Sequence, residues 1–240
     1  GDEISELAES FNRMADAVEK NIQELEEAAR RQEDFTASFV HELKTPLTSI
    51  IGYADMLRSG NLGEDMRFKA ASYIFSEGKR LENLSLALMS LLVVGHSTAD
   101  ARPVNMRRLC QEAGRICQPA MHARGLALSV RAEEGLLRGD AALLQTLLQN
   151  LLDNARKATD SGGQVVLAGR KDKEGYRITV ADQGRGIPEG ELNKITEPFY
   201  MVDKSRSRAE GGAGLGLALC KEIVELHRGQ LCFESREGKG

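Results

Sequence analysis

Apolar residues recur first at coiled-coil spacing. From Ile4 through Leu7, Phe11, Met14 and Val18 the steps alternate between three and four residues, as along a helical seam. At Val18 to Ile22 a step of four follows a step of four, and the rhythm then resumes through Leu25, Ala29 and Gln32 to Phe35. Such a stutter locally changes the supercoil and marks a junction between helical units. Further on, Phe39, Leu43, Leu47, Ile50, Ala54 and Leu57 again fall on one helical stripe. A single helix is predicted from the first residues through His41. Pro46 should bend it just after the histidine, because proline removes one backbone hydrogen bond and clashes with the preceding turn.

The cluster Gly60-Asn61-Leu62-Gly63 breaks this helix. Beyond it, Phe68, Ala71, Phe75, Leu81, Leu84, Leu88, Leu91 and Leu92 return mostly at helical spacing up to Gly95. Two antiparallel helices result. Each half carries a full apolar stripe, which one hairpin leaves too exposed, so pairing with a second copy into a four-helix bundle, a homodimer, is expected. The linker at 97–103 ends the helical part.

After Pro103 the pattern becomes mixed. Helices are predicted over 106–121, 140–158 and 215–226, and short strands over 126–131, 136–138 and 230–235. The runs 164–170 and 176–181 read as a hairpin across residues 171–175. Strands in runs with helices gathered between them imply an α+β sandwich, helices on one face of a mixed sheet. The fold class is therefore a helical hairpin followed by an α/β sandwich.

Composition narrows the function classes. The 240 residues are 41% hydrophobic and 28% charged, enough to bury a proper core in more than one unit. A net charge of −4 and the lack of Trp argue against a nucleic-acid surface. No stretch approaches the roughly 18 consecutive apolar residues of a membrane span, and the first residues lack a signal-peptide pattern. Cys110, Cys117, Cys220 and Cys232 have no C-x-x-C spacing and the histidines are scattered, which points to reduced cytosolic thiols and away from a zinc site.

Three segments carry candidate chemistry. Two residues beyond Phe39, at about 100° per residue, His41 lands opposite the apolar stripe and faces water. Glu42 is its neighbour, with Thr45 one turn further along the same exposed flank. An imidazole beside a carboxylate is a candidate nucleophile, although a lone solvated histidine is the commoner case. In the helix over 140–158, Leu144, Leu147, Leu148, Leu151 and Leu152 form the buried stripe, while Asn150, Asn154 and Lys157 align on another face. Such a row can hold a hydrated divalent cation and a polyphosphate, or be merely the wet face. Downstream, Asp182-Gln183-Gly184-Arg185-Gly186-Ile187-Pro188 ends a strand, and the glycine-rich run 211–217 opens a helix whose free N–H groups suit phosphate. No Lys-Ser or Lys-Thr follows these glycines, so neither is a Walker loop, and protein-kinase H-R-D and D-F-G elements are missing.

In order, H-E-L-K-T-P-L, N-L-L-D-N-A-R-K, D-Q-G-R-G-I-P, E-P-F-Y and G-A-G-L-G-L closely resemble the H, N, G1, F and G2 boxes of bacterial sensor histidine kinases. The opening D-E-I-S-E-L-A-E-S-F-N-R-M-A-D-A resembles the second helix of a HAMP signal-relay domain. The resemblance implies a HAMP end at 1–20, a dimerisation and histidine-phosphotransfer hairpin at 21–98, a linker at 99–102, and a Bergerat-type (gyrase-like) ATP-binding domain at 103–240. It makes His41 the phosphoacceptor, Glu42 its general base and Thr45 a residue that places water for dephosphorylation of a response regulator. Asn154 matches the Mg²⁺ ligand, with Asn150 beside it. Lys157 would touch phosphate and Asp182 would recognise the adenine amino group. Gly184 and Gly186 would shape the adenine end, and Tyr200, Gly212, Gly214, Leu215 and Gly216 would border the nucleotide at a lid running from about 199 to 213. ATP and Mg²⁺ are the implied cofactors, and a receiver domain with an acceptor aspartate the implied partner.

Three departures accompany the match. Gln183 is larger than the residue usual there, and Met201 stands where a basic residue often follows the F-box tyrosine, with Lys204, Arg206 and Arg208 nearby. The chain stops at Glu237-Gly238-Lys239-Gly240, where similar kinases add another strand, which would leave a sheet edge unpaired. These ends imply the cytoplasmic portion of a longer membrane-anchored receptor. Two alternatives stay open. A gyrase- or chaperone-class ATPase would carry a water-activating glutamate where Asn150 stands and would not need His41. A non-enzymatic or phosphatase-biased scaffold would be disfavoured by the presence of Asn154, Asp182 and the glycines.

Overall fold

The computed structural model describes residues 2–60, 62–95, 101–173, 175–203 and 212–238. Its first half is a helical hairpin of α1 (Asp2–Arg58) and α2 (Glu64–Gly95). One helix thus carries the coiled-coil seam, His41 and Pro46 together. Pro46 is fully buried within it, and the Thr45, Thr48 and Ser49 hydroxyls donate back to the His41, Lys44 and Thr45 carbonyls around it.

The seam between the two helices differs from the expected stripes. Toward α2, α1 turns Phe35, Phe39, Glu42, Pro46, Tyr53 and Leu57, whereas Leu47, Ile51 and Ala54 are exposed. On α2 the inward positions include Ala70, Ile74, Leu81, Leu84, Leu88, Leu91 and Val94, while Phe68, Phe75 and Leu92 are exposed. Each helix is apolar on more than one side, and periodicity alone averages the side that meets its partner helix with the side that one chain leaves open. Midway along the seam Tyr53 stacks on Tyr73, with ring centroids 4.7 Å apart and planes within 6°.

The second half runs β1 (Arg102–Asn105), α3 (Met106–Ala123), β2 (Ala127–Ala132), β3 (Leu136–Gly139), α4 (Ala141–Ala158), β4 (Gln164–Asp172), β5 (Gly175–Asp182), a short 3-10 turn at Glu189–Glu191, and α5 (Gly216–Leu226). β1 pairs with β3 antiparallel. β4 lies between β2, to which it is parallel, and β5, to which it is antiparallel, so the sheet is mixed as expected. Val165 and Leu167 of β4 meet Leu144, Leu147, Leu148, Leu152 and Ala155 of α4, and Met106, Cys110 and Ala113 of α3, in one buried core. Asn105 caps α3, its side chain accepting from Arg108 N, and Asp140 caps α4, accepting from Ala142 N and Leu143 N.

The strand expected over 230–235 is not formed. Those residues alternate between half-buried and exposed, but they join no ladder. Side-chain alternation supplies a face, whereas a strand also needs a backbone partner. The segment is instead tied to the 185–187 turn, where Ile187 N donates to Ser235 Oγ and Gly238 N to the Arg185 carbonyl. Among the described residues no helix is long and apolar enough to cross a membrane.

Burial pushes the Cys110 thiol up to about 11 and the Cys220 thiol up to about 12, while Cys232 is exposed. Alkylation of the native chain at pH 8, followed by peptide mass mapping, should therefore modify Cys232 well before Cys110 or Cys220, because the thiolate is the reactive form. Equal rates would mean the helical layer is not packed as described. Leu148→Ala, which empties a fully buried site on α4, should cost about 3–5 kcal/mol in urea unfolding followed by circular dichroism. An unchanged midpoint would contradict this core.

Candidate functional site

α4 presents its polar row on the side away from the core. Asn150 Nδ2 donates to the Thr146 carbonyl at 2.9 Å, leaving its side-chain oxygen directed at the start of α5. A Cβ placed on Gly216 would come within 3.0 Å of Asn150 Oδ1 and 3.8 Å of Asn154 Nδ2, so the absent side chain at 216 lets the α5 N-terminus approach both carboxamides. Asn154 Nδ2 is buried without a hydrogen-bond partner. A buried unpaired amide is costly, and sites where ligands bind are where such groups persist. Two carboxamides meeting a helix N-terminus fit a polyphosphate with Mg²⁺: their side-chain oxygens are the metal-ligand type, and the unpartnered Asn154 Nδ2 is a donor suited to a phosphate oxygen.

Around this centre lie the other predicted residues. Lys157 Nζ sits 2.7 Å from Asp153 Oδ2, and Arg156 grips the same carboxylate from the other side. Burial, which pushes Asp153 up, is outweighed by Lys157 and Arg156, so the carboxyl stays below its usual range. Lys157 is thus already paired rather than free. Asp182 ends β5 and accepts from Gly184 N at 2.8 Å, and Gly184 is packed against the Ala158 carbonyl at the end of α4. This contact ties the Asp182 turn to the helix that carries the asparagines. Gly186 lies beside the Arg236 carbonyl. Gln183, the unusually large residue of this turn, turns away and accepts from Gln164 N at the start of β4.

Phe199 holds a left-handed backbone, φ 65°, in a non-glycine residue. Its N–H donates to the Gly214 carbonyl at 2.9 Å, and Gly214 is itself at φ 69°, with Phe199 backbone atoms 2.7 Å from where a Cβ would stand. Residues 199 and 214 therefore bind each other, with Tyr200 directly after the first and Gly212 two residues before the second. Residues 204–211, with Lys204, Arg206 and Arg208 of the expected lid, lie outside the described residues. Strain of this kind costs of order 1–3 kcal/mol and marks functional positions. Here the strained residue packs across to the hairpin: its ring lies 5.3 Å from Phe35 and 6.2 Å from Phe39, in a cluster with Leu84, Leu88 and Leu215.

On the hairpin, His41 is 70% exposed and Glu42 only 7%. The expected exposure holds for the histidine, whereas Thr45, expected along the same exposed flank, is half-buried, and the neighbouring carboxylate is buried. Residue 42 lies one step round the helix, about 100°, and that step takes it into the seam. There Arg80 Nη2 of α2 meets Glu42 Oε2 at 2.7 Å, while the other oxygen lies 3.7 Å from His41 Nδ1. Thr45 is half-buried, with its hydroxyl donating to the His41 carbonyl at 3.3 Å. Neither Arg80 nor the Phe199 contact was legible as a site feature. The signal for Arg80 was a break in the α2 apolar rhythm between Phe75 and Leu81. For Phe199 the sequence carried no sign of its backbone conformation. A cavity of about 390 Å³ lies elsewhere, on the Lys221 and Glu225 side of α5, and includes none of these residues.

Three family models match along the chain. The HAMP domain matches residues 1–20, the His Kinase A (phospho-acceptor) domain residues 31–91, and the histidine kinase-, DNA gyrase B- and HSP90-like ATPase family residues 139–240. The signal transduction histidine-protein kinase BaeS of Escherichia coli (strain K12) is 35% identical over 234 residues, covering 96% of this chain and 48% of that protein. Full-length ShkA, solved in complex with AMPPNP, is 26% identical with a TM-score of 0.56, over 80% of this chain and 40% of its own. ThkA, solved with response regulator protein TrrA, shares the fold at a TM-score of 0.68 and 22% identity, over 86% of this chain and 60% of its own. This chain spans about half the length of the curated relatives it matches, 48% of one and 51% of another. With an exposed histidine on a helical hairpin and an asparagine-lined cradle on the α/β unit, it belongs to the two-component sensor histidine kinases.

Proposed function

We propose that the chain transfers the γ-phosphoryl group of ATP to Nε2 of His41 and passes it on to an aspartate of a response-regulator receiver domain. The observation that carries this reading is the presence in one chain of a solvent-displayed imidazole and a buried, unpartnered Asn154 Nδ2 donor beside the α5 N-terminus. Asn154, with Asn150 beside it, would hold Mg²⁺ against the phosphates. The ion would supply neutralising charge and polarise the transferred group. Asp182, at the far end of α4, is the acceptor suited to the adenine amino group, with Gly184 and Gly186 shaping that end. Tyr200, Gly212, Gly214, Leu215 and Gly216 border the phosphate side, and Lys157 reaches phosphate by exchanging its hold on Asp153.

At the acceptor, the lone pair of Nε2 attacks phosphorus, an N–P bond forms, and the P–O bond to the β-phosphate breaks with its electron pair leaving on ADP. Glu42 lies on the Nδ1 side, where it can take up that nitrogen's proton as general base. Thr45, one turn on, is suited to placing water for the reverse task, hydrolysis of the receiver's phosphate. Phe199 docks on the Phe35 and Phe39 side of α1, about 200° round the helix from His41. Delivery to His41 therefore requires the nucleotide-bearing unit to leave this contact or to come from a second copy.

The exposed Leu47, Ile51, Phe68 and Phe75, which one hairpin cannot cover, support a homodimer. The domain division 1–20, 21–98, 99–102 and 103–240, and a place as the cytoplasmic portion of a membrane receptor, belong to the same proposal. A plain gyrase-class ATPase is disfavoured because Asn150, not a glutamate, faces the α5 N-terminus.

His41→Gln should abolish acid-labile, base-stable phosphate after incubation with ATP and Mg²⁺ while leaving nucleotide binding intact; persistent label would refute the acceptor. Asn154→Ala should weaken ATP binding about 10- to 100-fold in calorimetry with Mg²⁺ and much less without it. Equal losses in both conditions would remove Asn154 from the metal.

A further inference from the structure

We propose that Arg80 is a positioning residue for phosphoryl transfer: by holding one oxygen of Glu42, it fixes the other beside His41 Nδ1 and so leaves Nε2 facing outward. The inference rests on the kinase reading above and adds to it a residue from the second helix. Arg80 and Glu42 are 38 residues apart and reach each other only because the hairpin folds back on itself. Both side chains are nearly sealed in the seam, 11% and 7% exposed, and Arg80 Nη1 also lies 3.6 Å from Glu77 Oε2.

Stability alone does not account for an acid–base–acid row at this depth. Taking charges out of water is expensive, and well-packed apolar residues serve a helical seam as well or better. What an apolar pair cannot do is orient a carboxylate. A glutamate beside a solvent-displayed histidine samples several rotamers, whereas a guanidinium is planar and holds a carboxylate in a defined direction. With Oε2 held at 2.7 Å by Arg80, Oε1 is left 3.7 Å from Nδ1, at ion-pair range and ready to close on the proton there. A hydrogen anchored on Nδ1 places the reactive lone pair on Nε2. In the transfer step Nε2 gains phosphorus, ADP leaves with the P–O electron pair, and the Nδ1 proton moves toward Glu42. Arg80 acts only through that carboxylate and touches neither nucleotide nor imidazole.

The test measures initial rates of acid-labile phosphorylation against ATP concentration, with Mg²⁺, for the whole chain and four variants: Arg80→Met, Arg80→Lys, Glu42→Gln and Glu42→Gln/Arg80→Met. Arg80→Met should lower kcat about 10- to 100-fold, the scale of a misplaced catalytic group, and Arg80→Lys should recover part of it. KM for ATP should stay within about twofold, since the nucleotide cradle is untouched. In the Glu42→Gln background, Arg80→Met should cost nothing more, because its only route of action is already gone. The double variant replaces the buried pair by a neutral one, so this comparison survives even if Arg80→Met alone fails to fold. Additive losses, a rise in KM in place of a fall in kcat, or wild-type kcat in Arg80→Met would each overturn the proposal. A wild-type chain that takes up no acid-labile phosphate would refute the kinase reading itself, and the role of Arg80 with it.

Discussion

The direction in which His41 points depends on the burial of its neighbour. An α-helix turns about 100° per residue, so once Glu42 is fixed in the α1–α2 seam, residue 41 has no choice but to leave it. Pro46, buried one turn further on, and Phe39, packed against the α/β unit, hold the same rotation from both sides. The helix could not roll to hide the imidazole without pulling a carboxylate off Arg80 and exposing two apolar anchors. The exposure of His41 is therefore a consequence of packing on the other side of the helix.

A second constraint links the two halves. Phe199 sits in a backbone conformation that disfavours a side chain, held by its bond to the Gly214 carbonyl, and its ring lies in a cluster with Phe35, Phe39 and Leu84 of the hairpin. Leu215, in the same cluster, immediately precedes the α5 N-terminus that faces Asn150 and Asn154. Phe199 and Leu215, on either side of the Phe199–Gly214 bond, are thus also residues that touch the hairpin. Helix packing in the hairpin and the backbone beside Asn150 and Asn154 therefore share the contacts of Phe199 and Leu215.

Much of this was legible in the sequence. The Leu144 to Leu152 spacing sets which face of α4 is core, so the asparagines had to face away from it. The glycines at 214 and 216 were readable as places where the backbone approaches something closely, but not that Gly214 would meet the Phe199 backbone and Gly216 the Asn150 side chain. What periodicity could not resolve was the side of a two-sided helix: Leu47 and Phe68 share the spacing of the buried positions yet face out. Nor could it see that a carboxylate would be drawn inward, because the arginine that makes this tolerable lies 38 residues away. The strand read over 230–235 failed for a related reason, since alternation describes a side-chain pattern and says nothing about where a backbone partner comes from.

Phosphorus NMR of the chain after incubation with ATP and Mg²⁺ tests most directly whether the helix geometry chooses the reacting atom. With Glu42 stationed on the Nδ1 side of the ring, a single phosphoramidate resonance of the Nε2 isomer is expected. A resonance of the Nδ1 isomer, or of a phosphate ester on a hydroxyl, would contradict it.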